Sequence, residues 1–277
     1  MVIQMVNGTE FHDAEPMVAP SARPVAAVVR AAAILRVFSH ERPTLHFSQI
    51  VDAVGLPKST THRLLLTLID VGFVEQRQDG TYALGIGLFE VGSLAYANVS
   101  LRAIAQPFVR QLMDQTKETV HMGVLDGFEV VSLEQASSPH SLRAEVYVGK
   151  RAPLHCTAVG KAILAFVESG PWLQRLWANG FDRYTSDTIT DPAALRAELE
   201  GVRKRGFAVD NEEHEVGVRC VGAPIRDASG TVVGSLSISG PSARVTPESV
   251  TDLSRRLLQA TRQISAALGY AGAGHPS

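Results

Sequence analysis

Cys156 follows His155, and Cys220 lies a few residues beyond His214. A thiol near an imidazole is the raw material of nucleophilic catalysis. Neighbours on an extended segment point in opposite directions, so His155 cannot readily take a proton from Cys156. A cysteine-dependent enzyme or thiol sensor using Cys156 or Cys220 would need partners brought in by the fold, and neither thiol carries a nucleophile motif. Asp210-Asn211-Glu212-Glu213 is an acidic cluster, a pattern that usually sits on a solvated surface. In Ser235-Leu236-Ser237-Ile238-Ser239, strand alternation sends three serines to one face, which is either solvent or a polar pocket floor. Small residues from Cys156 to Ala162 lead into a helix whose first backbone N–H groups are free: a ready anion site, or simply close packing.

A second kind of chemistry is written between Phe47 and Leu84, which reads helix, tight turn, helix, hairpin. Gly55 suits the left-handed end of the first helix, and Pro57 suits the first position of the second. Thr61, Leu64, Leu65 and Leu68 share one helical face and should meet the core. Lys58, Ser59, Thr60, His62 and Arg63 cluster near the N-terminal end, where a helix entering the major groove needs its donors. Asp79-Gly80 between two strand-like runs is a hairpin signal, with Arg77 near its tip. Val28, Ala31, Ala32 and Leu35 give a further helix to pack behind the pair. Helix-turn-helix plus hairpin is a winged helix. A small helical bundle without a ligand would show much the same pattern.

Charge is balanced around this segment, and the whole chain carries a formal −2. A strong non-specific DNA binder would be basic. Lys58 through Ile69 nevertheless contains no acid, so binding would rest on specific contacts and dimerisation. The 277 residues suit two domains, and 45% hydrophobic content supports packed cores. No apolar run is long enough to span a bilayer, and the first residues lack a signal-peptide pattern. Two cysteines make no disulfide framework, and no Cys/His spacing suggests a zinc site. A cytoplasmic protein without metal or cofactor fits this composition.

The remaining elements must position the reactive groups. Leu88 to Ala97 reads as a connecting helix, and Ala103 to Thr116 as another with Ile104, Phe108, Leu112 and Met113 on one side. Strands are expected at Thr119–Leu125, Glu129–Gln135, Arg143–Val148, Phe207–Asp210, Cys220–Arg226 and Val232–Ser239. Helices are expected within Pro153–Val167, at Pro171–Ala178, at Asp191–Arg205 capped by Asp191, and from Thr246 to Leu268. This is an α+β chain: an N-terminal winged helix-turn-helix domain, a connecting helix, and a C-terminal domain with an antiparallel sheet. The boundaries fall at 1–23 for a flexible arm, 24–86, 87–100, 101–270, and 271–277 for a tail.

In order and number these motifs resemble the IclR family of bacterial transcriptional regulators, from about Val25 to Gly269. They are Arg30 to Phe38, Gly55 to Leu65, Tyr82-Ala83-Leu84-Gly85, Pro153 to Ala162, Asp210 to Glu213 with Gly217 and Cys220, and Ser237-Ile238-Ser239-Gly240. The resemblance implies a GAF-like effector domain, operator binding by a homodimer or dimer of dimers, and a small organic or aromatic acid as effector. It implies repression or activation of neighbouring catabolic genes rather than enzyme activity. Effector contacts would fall on the Ala158, Val159 and Gly160 backbone, Asp210, Cys220, Ser237 and Ser239. On that reading the serine face becomes a pocket floor and the helix start a carboxylate cradle. His121, Met122, Val130 and Leu142 would complete the lining and set ligand identity.

Overall fold

The computed structural model describes residues 24–39, 41–97, 100–167 and 171–271. The proposed arm at 1–23 and the end of the proposed tail, 272–277, lie outside them. The chain divides into two compact units, 1–99 and 100–277.

The first unit runs α1 (Ala26–Leu35), β1 (Thr44–Leu45), α2 (Phe47–Val54), α3 (Lys58–Asp70), β2 (Val74–Gln76), β3 (Tyr82–Leu84) and α4 (Ile86–Ala97). Gly55, at φ 64°, ends α2 in the left-handed conformation expected of it. Pro57 sits one residue earlier than expected, as the extended residue before α3 rather than its first helical one. Thr61, Leu65 and Leu68 are buried, while Leu64 is half-buried. Leu65 and Leu68, with Leu64 against them, join Ile34, Leu45, Ile50, Val74 and Tyr82 in one core. The Asp79 carboxylate accepts from the N–H and hydroxyl of Thr81 (3.0 and 2.6 Å), fixing the hairpin turn. β1 adds an outer strand to β3 that sequence did not announce, because two residues are too few to show alternation. Val28 corrects another expectation: it is exposed, and Ile34 is the residue of α1 that is buried.

The second unit runs α5 (Ser100–Thr116), β4 (Thr119–Asp126), β5 (Glu129–Ala136), β6 (Arg151–Pro153), α6 (Ala158–Leu164), α7 (Pro171–Asn179), α8 (Pro192–Arg205), β7 (Ala208–Asn211), β8 (Val218–Arg226), β9 (Val232–Pro241) and α9 (Pro247–Ala267). Six antiparallel strands form one sheet in the order β6-β5-β4-β9-β8-β7. α5 and α9 pack on the sheet, as does α6. Strand alternation separates them: Cβ atoms added at Gly222 and Gly234 would meet Ala158 of α6 and Leu101 of α5 respectively. α6 is covered in turn by apolar residues of α7 and α8, including Leu176, Leu195, Leu199 and Val202. Two expectations change here. Residues 143–148 form no strand; Gly149 turns at φ 88° and pairing begins only at Arg151. The fully buried face of α5 is Leu101, Ala105, Val109 and Leu112, with Ile104, Phe108 and Met113 only half-buried.

A register shift places the site residues. Gly123 opposes Ser132 while Met122 opposes Glu134, so Leu133 is an extra residue in β5. A bulge of this kind turns following side chains to the other face. Ser132 thereby shares the α6 face of the sheet, while Glu134 meets Arg102 of α5 at 2.8 Å.

Candidate functional site

In the first unit, Lys58, Ser59, His62 and Arg63 are exposed along one end of α3, and Thr60 is half-buried. The burial of Thr61, Leu65 and Leu68 leaves those polar side chains facing outward. Phe47 of α2 packs edge-on against the His62 ring, with centroids 5.9 Å apart, so α2 steadies the start of α3. Arg77 lies at the end of β2, exposed and 3.6 Å from Glu75. An exposed polar helix end beside a three-stranded wing has the geometry to present donors to duplex DNA.

The second unit contains a cavity of about 650 Å³, counting space open to solvent. Its floor is the sheet and one wall is the start of α6. Asp210, Cys220 and Ser239 are consecutive cross-strand partners on β7, β8 and β9, and Ser237 pairs with His121 of β4. Alternation therefore brings all five to the cavity, together with Ala158 and Val159. The serine face is thus buried under α6 rather than washed by solvent; Ser237 Oγ and Ser239 Oγ lie 3.3 Å apart. Ser235 continues the row but is spent on α6, donating to Val159 O at 2.7 Å.

Gly160 is a correction. It does not line the cavity, and its N–H is taken by Thr157 Oγ1 at 3.1 Å, the N-cap of α6. A Cβ there would stand 2.6 Å from Leu154 Cα, so glycine lets α6 press against the preceding loop. Gly222 does the same beneath it: a Cβ would lie 2.3 Å from Ala158 O. Met122 and Leu142 are also absent from the lining; Met122 is fully buried away from the cavity, and Leu142 is exposed. His121 and Val130 do line it.

The acidic cluster is only partly solvated: Asp210 and Glu213 are buried, Asn211 is exposed and Glu212 half-buried, and each acid has a separate task. Glu213 is buried and accepts from Lys161 Nζ at 2.5 Å. Lys161, fully buried, also donates to Val209 O at 2.6 Å. Burial pushes the Glu213 carboxyl up although Lys161 opposes the shift. Glu212, at φ 61°, accepts from Gly217 N and holds the next turn. Asp210 Oδ1 accepts from the N–H groups of Glu213 and His214 (2.8 and 3.4 Å). Burial, reinforced by the Glu213 charge and opposed by that N–H bond, pushes Asp210 up to about 7. It is therefore partly protonated near neutral pH, which softens its repulsion of an anion.

Neither thiol is prepared for catalysis. Cys156 is fully buried, and burial first, then Asp210 and Glu213, push it up. Cys220 is pushed well up by burial and Asp210. His155 does not face its neighbour: its Nε2 lies 2.9 Å from Asp182 O, and its ring rests near Phe181. A nucleophilic cysteine needs a thiolate-favouring environment, and both positions are the opposite.

Sequence reasoning did not single out Ser132, Lys150 or Thr157, all of which line the cavity. Thr157 three residues before Gly160 was a legible capping signal. Ser132 was hidden by the bulge, and Lys150 by a loop with no periodicity to read. Among the described residues no group of His, Cys, Asp and Glu could hold a metal ion, and no helix is long and apolar enough to cross a membrane.

A winged helix with an exposed polar recognition end, carried on one chain with a domain whose sheet floors a cavity lined by apolar and polar groups, defines a class: winged-helix transcriptional regulators. The family model described as the IclR helix-turn-helix domain matches residues 27–78, and that described as the bacterial transcriptional regulator IclR C-terminal matches 94–266. The HTH-type transcriptional regulator KdgR of Escherichia coli K12 is 37% identical over 89% of this chain and 94% of its own. The transcriptional repressor IclR of the same organism is 34% identical over 91% and 93%. A crystal structure of an IclR homolog complexed with 4-hydroxybenzoate, from Microbacterium hydrocarbonoxydans, superposes with a TM-score of 0.77 at 27% identity, over 88% of this chain and 99% of that one. The chain belongs to the IclR family; it is a DNA-binding transcriptional regulator, not an enzyme.

Proposed function

We propose that this regulator senses a small organic or aromatic acid and thereby controls catabolic genes. The observation that carries the reading is the cavity over the sheet, where Ser237, Ser239 and the N–H groups of Ala158 and Val159 offer uncharged donors beside Asp210 and Cys220. The 4-hydroxybenzoate bound by a structural relative supports the acid class. In this reading residues 24–86 bind operator DNA, 87–100 connect, and 101–270 hold the effector. Lys58, Ser59, Thr60, His62, Arg63 and Arg77 contact the duplex. A homodimer or dimer of dimers places paired recognition helices in successive major grooves. The effector alters their spacing through the connecting helix, by binding one arrangement more tightly than the other.

A gel shift tests the DNA half of this reading. The protein should bind the duplex upstream of its own gene well above random duplex, and equal weak binding to both would sink the reading. Titrating 4-hydroxybenzoate and other small carboxylates into that complex tests the effector half. At least one should change the bound fraction; if none does, the acid assignment fails.

A further inference from the structure

The cavity has further polar groups that the serine row does not account for, beginning at His121, the β4 partner of Ser237, and continuing to Ser132 on β5. Ser132 and His121 both line it, both residues are more than nine-tenths buried, and neither Ser132 Oγ nor His121 Nδ1 has a hydrogen-bond partner. Buried polar atoms are ordinarily satisfied, so each orphan calls for a partner. Beside them stands Lys150, which also lines the cavity. Two backbone bonds tie it there: Ser132 N donates to Lys150 O (2.9 Å), and Gly149 N donates to Ser132 O (2.7 Å). Lys150 Nζ donates to Glu145 O at 2.6 Å and forms no ion pair among the described residues. Its ammonium has further donors to give. Glu145 and Glu215 also border the cavity, but both are exposed, where water screens them.

We propose that Lys150, Ser132 and His121 form a second carboxylate-binding end of the effector cavity, so that the effector is a small dicarboxylic acid. The inference rests on the acid-effector reading and narrows it. One carboxylate takes the uncharged donors at Ser237 and Ser239. The other takes the Lys150 ammonium, the Ser132 hydroxyl and an N–H from His121. Burial and the Lys150 charge lower His121 to about 4, so it acts as a neutral donor at Nδ1 and leaves Lys150 as the matching charge. A ligand with one carboxylate would leave Ser132 and His121 buried and unpaired, which disfavours it.

Calorimetric titration of the full chain tests this with matched pairs: unbranched mono- and dicarboxylates of equal length, and 4-methylbenzoate against terephthalate. The tightest diacid should bind at least about tenfold tighter than its monoacid partner, as a charge-assisted hydrogen-bonded contact implies. Lys150→Met should remove most of that advantage. Ser132→Ala should weaken the diacid while leaving the unliganded protein at least as heat-stable, because it deletes an orphaned hydroxyl. A merely structural role would lower stability instead. Equal affinities within every pair, or a diacid preference that survives both variants, would overturn the proposal while leaving the acid reading intact. Failure of both series to bind at all would overturn the acid reading and this inference with it.

Discussion

At the residue scale the function divides between groups that are free and groups that are buried. Arg63 is exposed on the polar end of α3. If it bonds a base bidentately, Arg63→Ala should cost about 1–3 kcal/mol of operator affinity and relax specificity at one position. If it holds phosphate, affinity should fall on all sequences and the salt slope should shrink. Competition binding across a salt series separates these, and unchanged operator binding would mean α3 is not the reading helix. Asp210 makes a pH prediction. Its folded-state value, about 7, stands above the ordinary 3.8. The folded protein therefore holds the proton more tightly, and this group adds stability as pH falls from above 7 towards 4. His121, His155 and His214, all lowered by burial, pull the other way below their ordinary range. Comparison with Asp210→Asn isolates the aspartate from Glu213, Lys161 and the histidines around it. The variant should melt higher than wild type at about pH 8, where Asp210 is a buried charge, and the gain should vanish by about pH 5. A gain that is the same at both values would contradict the assignment.

At the element scale the cavity depends on how closely α6 approaches the sheet. Gly222 and Gly160 leave room for that approach, and Thr157 caps the helix start. Gly222→Ala puts a methyl 2.3 Å from Ala158 O, a clash with backbone rather than with a movable side chain. It should destabilise the second unit by about 1–3 kcal/mol, read from denaturant midpoints, and weaken effector binding, while operator binding without effector stays near wild type. An unaltered midpoint would show that α6 does not sit where its position over β8 requires. Element boundaries were largely legible, because Gly55, Asp79-Gly80, Asp191-Pro192 and strand alternation are local signals. What was not legible came from beyond the segment. The two-residue β1 exists only by pairing with β3. Residues 143–148 have strand-like composition but form no strand. The bulge that turns Ser132 into the cavity appears only in the register against β4.

At the scale of the whole molecule, two well-separated signals had to be combined. The serine row alone did not distinguish solvent from pocket; it took α6, brought over it by the chain between β6 and β7, to make a cavity. Gly160 was legible as special but not in its role, since a close approach to Leu154 cannot be read from its neighbours in sequence. The near-neutral charge of the chain leaves little non-specific DNA affinity, so useful binding calls for more than one recognition helix. α4 exposes Ile86, Phe89 and Val91, an apolar set suited to a second copy. Light scattering should therefore give a mass of at least about twice the 29.7 kDa chain at micromolar concentration. A mass at the single-chain value would remove the dimer from the account.

The central claim is that the cavity over the sheet governs what the winged helix does on DNA. Fluorescence anisotropy of a labelled operator, titrated with protein at rising concentrations of 4-hydroxybenzoate or of the tightest diacid from the calorimetric series, tests it most directly. Wild type and the double variant Ser237→Ala with Ser239→Ala should bind the operator equally well without acid. The double variant should need roughly tenfold more acid for the same change, the equivalent of one or two lost hydrogen bonds. A double variant that responds with wild-type sensitivity would place the sensing site elsewhere in the molecule.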